Sequence, residues 1–153
     1  MPASAAPAGR DATPIPPMGF VLVVDDEPIV ASELAAGLAD MGYMAQHALS
    51  AARAIEILAA RPEITVLITD VRMPGTDGVT FARAVTAGRG EGCALAVVLI
   101  TGHATSEELA SAMPGGEVEV VRKPFRLKEI GAAVERAHRR ASERRAGQGG
   151  RGQ

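Results

Sequence analysis

Apolar residues gather in five short runs along the chain, at positions 20–24, 44–48, 64–69, 94–100 and 118–121. The first, third and fourth runs are continuous rather than alternating, the pattern of strands covered on both faces. The stretches between them carry helical spacing. Over 29–41, Ile29, Val30, Leu34 and Leu38 are expected near one face, and Gly42 stands where a helix would end in a left-handed residue. Ser50 is placed to cap a helix over 51–61 that Pro62 closes, and Asp77 to cap a third over 79–86. Thr105 or Ser106 with Glu107 or Glu108 resembles a capping arrangement before a short fourth helix, which Pro114 cuts off. A fifth, over 127–145, carries Leu127, Ile130, Val134 and Ala137 on one stripe. Strand and helix alternate five times. This argues for an α/β fold with a parallel sheet and helices on both faces, whose ligands sit at the carboxyl ends of the strands.

Composition adds the limits of the folded unit. Ala, Pro and Gly dominate residues 1–17, which read as a disordered leader; residues 142–153 read as a flexible, basic, Gly-rich tail. The folded unit is then 18–141, one domain with a single good core. The leader has one Arg and no continuous apolar centre, unlike a secretory signal, and no apolar run is long enough to span a bilayer. The lone Cys93 has no partner for a disulfide and no neighbouring metal-ligand spacing, which favours a reducing cytoplasm and a small hydrophobe's role.

Charge is uneven. Residues 1–121 hold 15 acidic against 6 basic side chains, and residues 122–153 hold 10 basic against 3 acidic. The cluster RRASERR, with Arg139, Arg140, Arg144 and Arg145, could touch nucleic acid or an acidic partner. The reading favoured is a solvated helix end whose cations suit the macrodipole, because aromatic residues and a groove-reading motif are absent.

The chemistry lies at the strand ends. Asp25 and Asp26 follow the first strand, Asp70 the third, Thr101 the fourth, and Lys123 with Pro124 the fifth. Each alone is an ordinary loop or turn residue. Together they set three carboxylates, a hydroxyl and an amine on one rim. Close carboxylates repel, and a divalent cation removes the conflict; hard oxygens suit Mg²⁺. With Lys123 and Thr101 the rim would cradle a phosphoryl group, and Asp70 on the central strand is the best-placed nucleophile, forming an acyl phosphate.

The motifs VVDDEP, LITDVRMPGTDG, LITGH and RKPF, in this order and spacing, resemble those of the receiver domain of two-component response regulators, of the chemotaxis-type, single-domain kind. The resemblance spans residues 20–141. It implies a flavodoxin-like, doubly wound (βα)5 sandwich with strand order 2-1-3-4-5. It implies that Asp70 accepts phosphoryl from a phosphohistidine on a sensor histidine kinase or phosphotransfer protein in a phosphorelay. Asp26, Asp70 and the backbone carbonyl of Arg72 would bind Mg²⁺ directly and Asp25 through water. Thr101 and Lys123 would contact phosphoryl oxygens, the Gly102 N–H would reach the phosphate, and the Lys123–Pro124 bond would be cis. Arg72 and His103 flank the path of attacking water, as exposed loop side chains or as residues that set the lifetime of the acyl phosphate. His47 and His138 have no matching constellation and read as structural or surface residues.

One position departs from the family. Three residues before Lys123 the family commonly has Tyr or Phe, which swings inward when the Thr moves; here it is Val120. With the unusual MPGGEVEVV segment, this predicts an output face, formed by the fourth helix, fifth strand and fifth helix, that is looser than usual. That face is also where relatives commonly homodimerise. About a dozen residues follow the last helix pattern, too few for a domain, so output is expected to pass through a partner protein. The competing readings are a phosphorylation-independent adaptor and, less favoured for want of a cap or substrate segment, a Mg²⁺-dependent phosphohydrolase.

Overall fold

A computed structural model of the chain describes residues 18–103, 106–112 and 118–151. The leader expected over 1–17, the Thr105 cap and the stop at Pro114 lie outside the described residues. The main elements are β1 (Phe20–Val24), α1 (Pro28–Asp40), β2 (Met44–Ala48), α2 (Ala51–Ala60), β3 (Val66–Asp70), α3 (Gly78–Ala87), β4 (Ala96–Thr101), α4 (Ser106–Ala112), β5 (Val118–Arg122) and α5 (Leu127–Arg151). The five strands form one sheet in the order β2-β1-β3-β4-β5, every neighbouring pair parallel. This is the doubly wound, flavodoxin-like order 2-1-3-4-5 that the resemblance implies. Two small features escape the hydrophobic pattern: an antiparallel ladder of Arg72–Met73 with Thr76–Asp77, and a 3₁₀ turn over Glu91–Cys93. Both are too short to show a period.

The continuous apolar runs arise because successive side chains leave a strand on opposite faces. Val21 and Val23 join one core with Leu34, Leu38, Ile68, Val98, Ile130 and Val134, beneath α1 and α5. Leu22 and Val24 join the other with Ile57, Leu58, Leu67, Phe81, Leu99 and Leu109, beneath α2, α3 and α4.

Local signals fix most helix ends. Pro28 occupies the first turn of α1, where its missing N–H costs nothing, and Gly42 follows the helix at φ +104. The Ser50 hydroxyl accepts the Arg53 N–H at 3.1 Å, and Asp77 accepts from the Val79 N–H at 3.0 Å. Glu129 accepts the Arg126 N–H at 2.7 Å at the start of α5, half of a capping box.

Three expectations need correction. Ile29 is 70% exposed. The buried side of α1 is Ala31, Leu34, Ala35 and Leu38, and Ile29, five residues before Leu34, lies about 140° around the helix from it. Leu127 is likewise 41% exposed, although its methyl groups lie over Gly37 of α1. Finally, α5 continues to Arg151, so residues 146–151 prolong the helix expected over 127–145 into the stretch read as a tail. Propagation of an existing helix needs only one hydrogen bond per added residue. Arg145 anchors the added turns: its guanidinium donates to the carbonyls of Ala94, Pro62 and Ile64 at 3.0–3.1 Å.

The basic cluster is largely consumed within the chain. Arg140 and Arg136, one turn apart on α5, both bond the Glu119 carboxylate of β5, Arg136 at 2.9 Å. Arg140 Nε is the one buried side-chain polar atom without a hydrogen-bond partner among the described residues. Arg139 pairs with Glu135 at 3.8 Å. Arg89 works beside Arg145, donating to the carbonyls of Leu58, Arg61, Pro62, Ile64 and Cys93. Cys93 itself is half-buried rather than fully enclosed. His47 is exposed on the edge strand β2, whereas the His138 Nδ1 meets the Thr65 hydroxyl at 2.9 Å and its ring meets Tyr43 edge-on. Among the described residues no helix is long and apolar enough to cross a membrane.

Candidate functional site

The carboxyl ends of β1, β3, β4 and β5 meet at one rim of the sheet. β3 is central, so Asp70, its last residue, emerges between β1 and β4 with only 7% of its surface exposed. Both carboxylate oxygens are engaged: Oδ2 takes the Lys123 ammonium at 2.8 Å and Oδ1 accepts the Arg72 N–H at 3.2 Å. Asp25 is deeper, 3% exposed, and its Oδ1 accepts the Glu27 N–H at 2.9 Å. Burial holds the Asp25 carboxyl above the usual carboxylate range; the Glu27 N–H and the Lys123 charge oppose this, while Asp70 and Asp26 add to it.

Asp26 is placed differently from its neighbour. Its side chain is exposed at the entry to α1, although its charge still acts on Asp25. The sequence leads one to expect three converging carboxylates; two are buried together and the third stands at the rim. β1 ends at Val24 and the chain bends at Asp26 on its way into α1, so Asp25 and Asp26 do not both turn inward. Among the described residues no three His, Cys, Asp or Glu side chains stand close enough together to hold a metal ion on their own.

Thr101, last in β4, is 3% exposed. Its hydroxyl oxygen accepts the His103 N–H at 3.1 Å, and its carbonyl accepts the Lys123 N–H at 2.8 Å. That second bond sets Lys123 directly after β5 and beside Asp70. Burial works against the Lys123 charge, but the hydrogen bond and charge of Asp70, with Asp25 and Glu27 behind it, outweigh this and hold its pKa above the ordinary lysine range. The Lys123–Pro124 peptide bond is cis. A cavity of about 130 Å³ opens here, lined by Asp70, Val71, Arg72, Thr101, Gly102, His103 and Lys123. Gly102 and His103 are exposed at its mouth, as is the Arg72 side chain, and a Cβ on Gly102 would meet nothing within 4 Å.

Asp25, Asp70 and the exposed Asp26 beside them, against the Lys123 ammonium, leave the rim with a surplus of negative charge on hard oxygens. That donor set fits Mg²⁺, which typically takes only one or two carboxylates and completes its shell with water and substrate oxygens. Val120 lies apart from this rim, half-buried against the core beneath α2, α3 and α4. Gly78 was missed at the sequence level: its Cα packs on the Asp70–Val71 backbone, and its signal was a glycine where a helix should begin.

Known proteins share the sequence pattern and the fold of this chain. The model of the response regulator receiver domain matches residues 21–135. The two-component response regulator PprB of Pseudomonas aeruginosa is 31% identical over 124 residues, 81% of this chain and 45% of that protein. The DNA-binding transcriptional regulator NtrC of Escherichia coli is 33% identical over 119 residues, 78% of this chain and 24% of NtrC. The chain thus spans less than half of either relative. The crystal structure of a response regulator receiver domain protein from Clostridium thermocellum superposes with a TM-score of 0.72 at 27% identity, covering 82% of this chain and 98% of that one. Sheet order, the Asp70–Lys123 pair and these matches lead to one conclusion: the chain belongs to the response regulator receiver domain family of two-component systems.

Proposed function

We propose that the domain is a phosphoryl-accepting signalling switch in which Asp70 is the acceptor. The observation that carries this reading is the buried Asp70 carboxylate held at 2.8 Å by Lys123 in a cavity bordered by Thr101 and Gly102. In the reaction, a carboxylate oxygen of Asp70 attacks the phosphorus of a phosphohistidine on a sensor histidine kinase or phosphotransfer protein. The N–P bond breaks, its electron pair stays on the imidazole, and an acyl phosphate forms on Asp70. Lys123 shifts from the carboxylate to a phosphoryl oxygen, Thr101 donates its hydroxyl to a second, and the Gly102 N–H faces a third. Asp26, Asp70 and the Arg72 carbonyl, with Asp25 acting through water, would hold Mg²⁺. When bound, the ion offsets the charge of the transferring group. Water later attacks the phosphorus and restores the carboxylate; Arg72 and His103 at the cavity mouth govern its approach. The domain acts in the cytoplasm on a partner protein, with no turnover of other substrates.

Intact mass spectrometry after incubation with Mg²⁺ and acetyl phosphate tests this. One added phosphoryl on the wild type and none on Asp70→Asn is expected; an unmodified wild type overturns the reading. Turnover of a generic phosphate ester would point to a phosphohydrolase instead.

Val120 favours a second reading, an adaptor that binds its partner whatever the state of Asp70. A branched aliphatic side chain, half-buried on β5, cannot report a rotation as a ring does. Identical partner binding by wild type and Asp70→Asn would select the adaptor.

A further inference from the structure

The chain turns back on itself directly after Asp70. Arg72 pairs with Asp77 and Met73 with Thr76, and Gly75 between them has φ +70. The returning segment lays Gly78, first residue of α3, against the backbone of Asp70 and Val71. Its N–H donates to the Val71 carbonyl at 2.8 Å, while the Val71 N–H donates to the Ile100 carbonyl of β4 at 2.9 Å. Val71, the residue that follows Asp70, is therefore gripped from both sides. A Cβ on Gly78 would stand 2.1 Å from the Asp70 carbonyl oxygen, 2.9 Å from Val71 Cα and 3.0 Å from the Asp70 carbonyl carbon. These are backbone atoms, with no flexible side chain to give way. Gly78 is not among the positive-φ glycines, so backbone freedom is not what the position demands. Close approach is.

We propose that Gly78 is a positioning residue for the phosphoacceptor: by having no side chain it lets α3 seat on the Asp70–Val71 peptide and fixes Asp70 against Lys123. The proposal rests on the reading of Asp70 as acceptor. A methyl group there must push the Asp70 backbone or the returning segment aside by a large fraction of an ångström, and a misplacement of about 1 Å is enough to slow a reaction by about 100-fold.

The test uses Gly78→Ala, with Asp77→Ala as the comparison; the latter removes the α3 cap without adding atoms near Asp70. Phosphorylation of folded protein by acetyl phosphate with Mg²⁺ is expected to slow by about 100-fold in Gly78→Ala and to stay within about twofold of wild type in Asp77→Ala. The ¹⁵Nζ signal of Lys123 is expected to move in Gly78→Ala and not in Asp77→Ala. Should Gly78→Ala not fold, Gly75→Ala serves: its Cβ would meet nothing, but a left-handed alanine distorts the segment that returns to Gly78, and both readouts should move in the same direction. An unmoved Lys123 signal with an unchanged rate in the folded variant overturns the proposal. If the wild type itself takes no phosphoryl, the acceptor reading falls, and the Lys123 signal alone decides the role of Gly78.

Discussion

Lys123 Nζ reaches 2.8 Å from Asp70 Oδ2 across 53 positions of sequence. The pair is built from the backbone outward: the Thr101 carbonyl fixes the Lys123 N–H, and β4 fixes Val71 directly after Asp70. Lys123→Ala is expected to lower the rate of phosphorylation by acetyl phosphate by on the order of 100-fold, the usual loss when one charged donor to a transition state is removed. The Asp70 side chain is only 10% exposed and loses its cation beside the buried Asp25, so thermal unfolding should also move to lower temperature. Stopped-flow phosphorylation and a melting curve check the two halves of this prediction.

Replacing both Arg72 and His103 by Ala leaves Asp70, Thr101 and Lys123 in place but opens the cavity mouth. Phosphorylation should still occur, and the lifetime of the acyl phosphate should change severalfold, as followed by loss of the label from protein. An unchanged lifetime would refute a role for these side chains.

Arg89 and Arg145 share the carbonyls of Pro62 and Ile64 as acceptors. Burial lowers the Arg89 pKa, and the Arg145 charge lowers it further, so the two repel as well as cooperate. Arg145→Ala should cost about 1 kcal/mol, because Arg89 still satisfies two of its acceptors. Arg89→Ala should cost more, since Leu58 and Arg61 then lose their guanidinium partner. The double variant should be destabilised by more than the sum of the two, because the shared carbonyls then have neither donor. Urea midpoints of the four proteins measure this.

His138 supplies a pH dependence away from the Asp70–Lys123 rim. Burial first, and the Arg145 charge second, lower its pKa below the ordinary value of 6.5, against an opposing hydrogen bond at Met18. The unfolded chain thus binds this proton more readily than the folded one. The stability tied to neutral His138 is present above pH 6.5 and is lost as pH falls from there through the lowered folded value. Denaturant midpoints of wild type should fall across that window, and those of His138→Gln should fall less.

The alternation of strand and helix, the strand-end residues and most helix caps were legible in the sequence because each rests on local chemistry: runs of branched residues, a Ser or Asp before a helix, a Gly after one; the order of the strands came instead from the resemblance of the motifs to a known family. What was not legible depends on direction or distance. Ile29 belongs to an apolar pattern but faces away from the core, and Asp26 differs from Asp25 only in which way it turns. Residues 146–151 look like a tail, yet α5 runs on through them, and the reach of Arg145 to carbonyls more than 50 positions away is invisible in a local pattern. Gly78 looks like part of a turn until the Asp70 backbone is seen pressed against it.

The double grip on Glu119 ties the last strand to the last helix. Arg136 and Arg140 hold one carboxylate from successive turns of α5. If α5 slid or rolled along β5, both cations would let go at once. Strand and helix are therefore linked through a single side chain, and replacing Glu119 alone would release two cations of α5 at once.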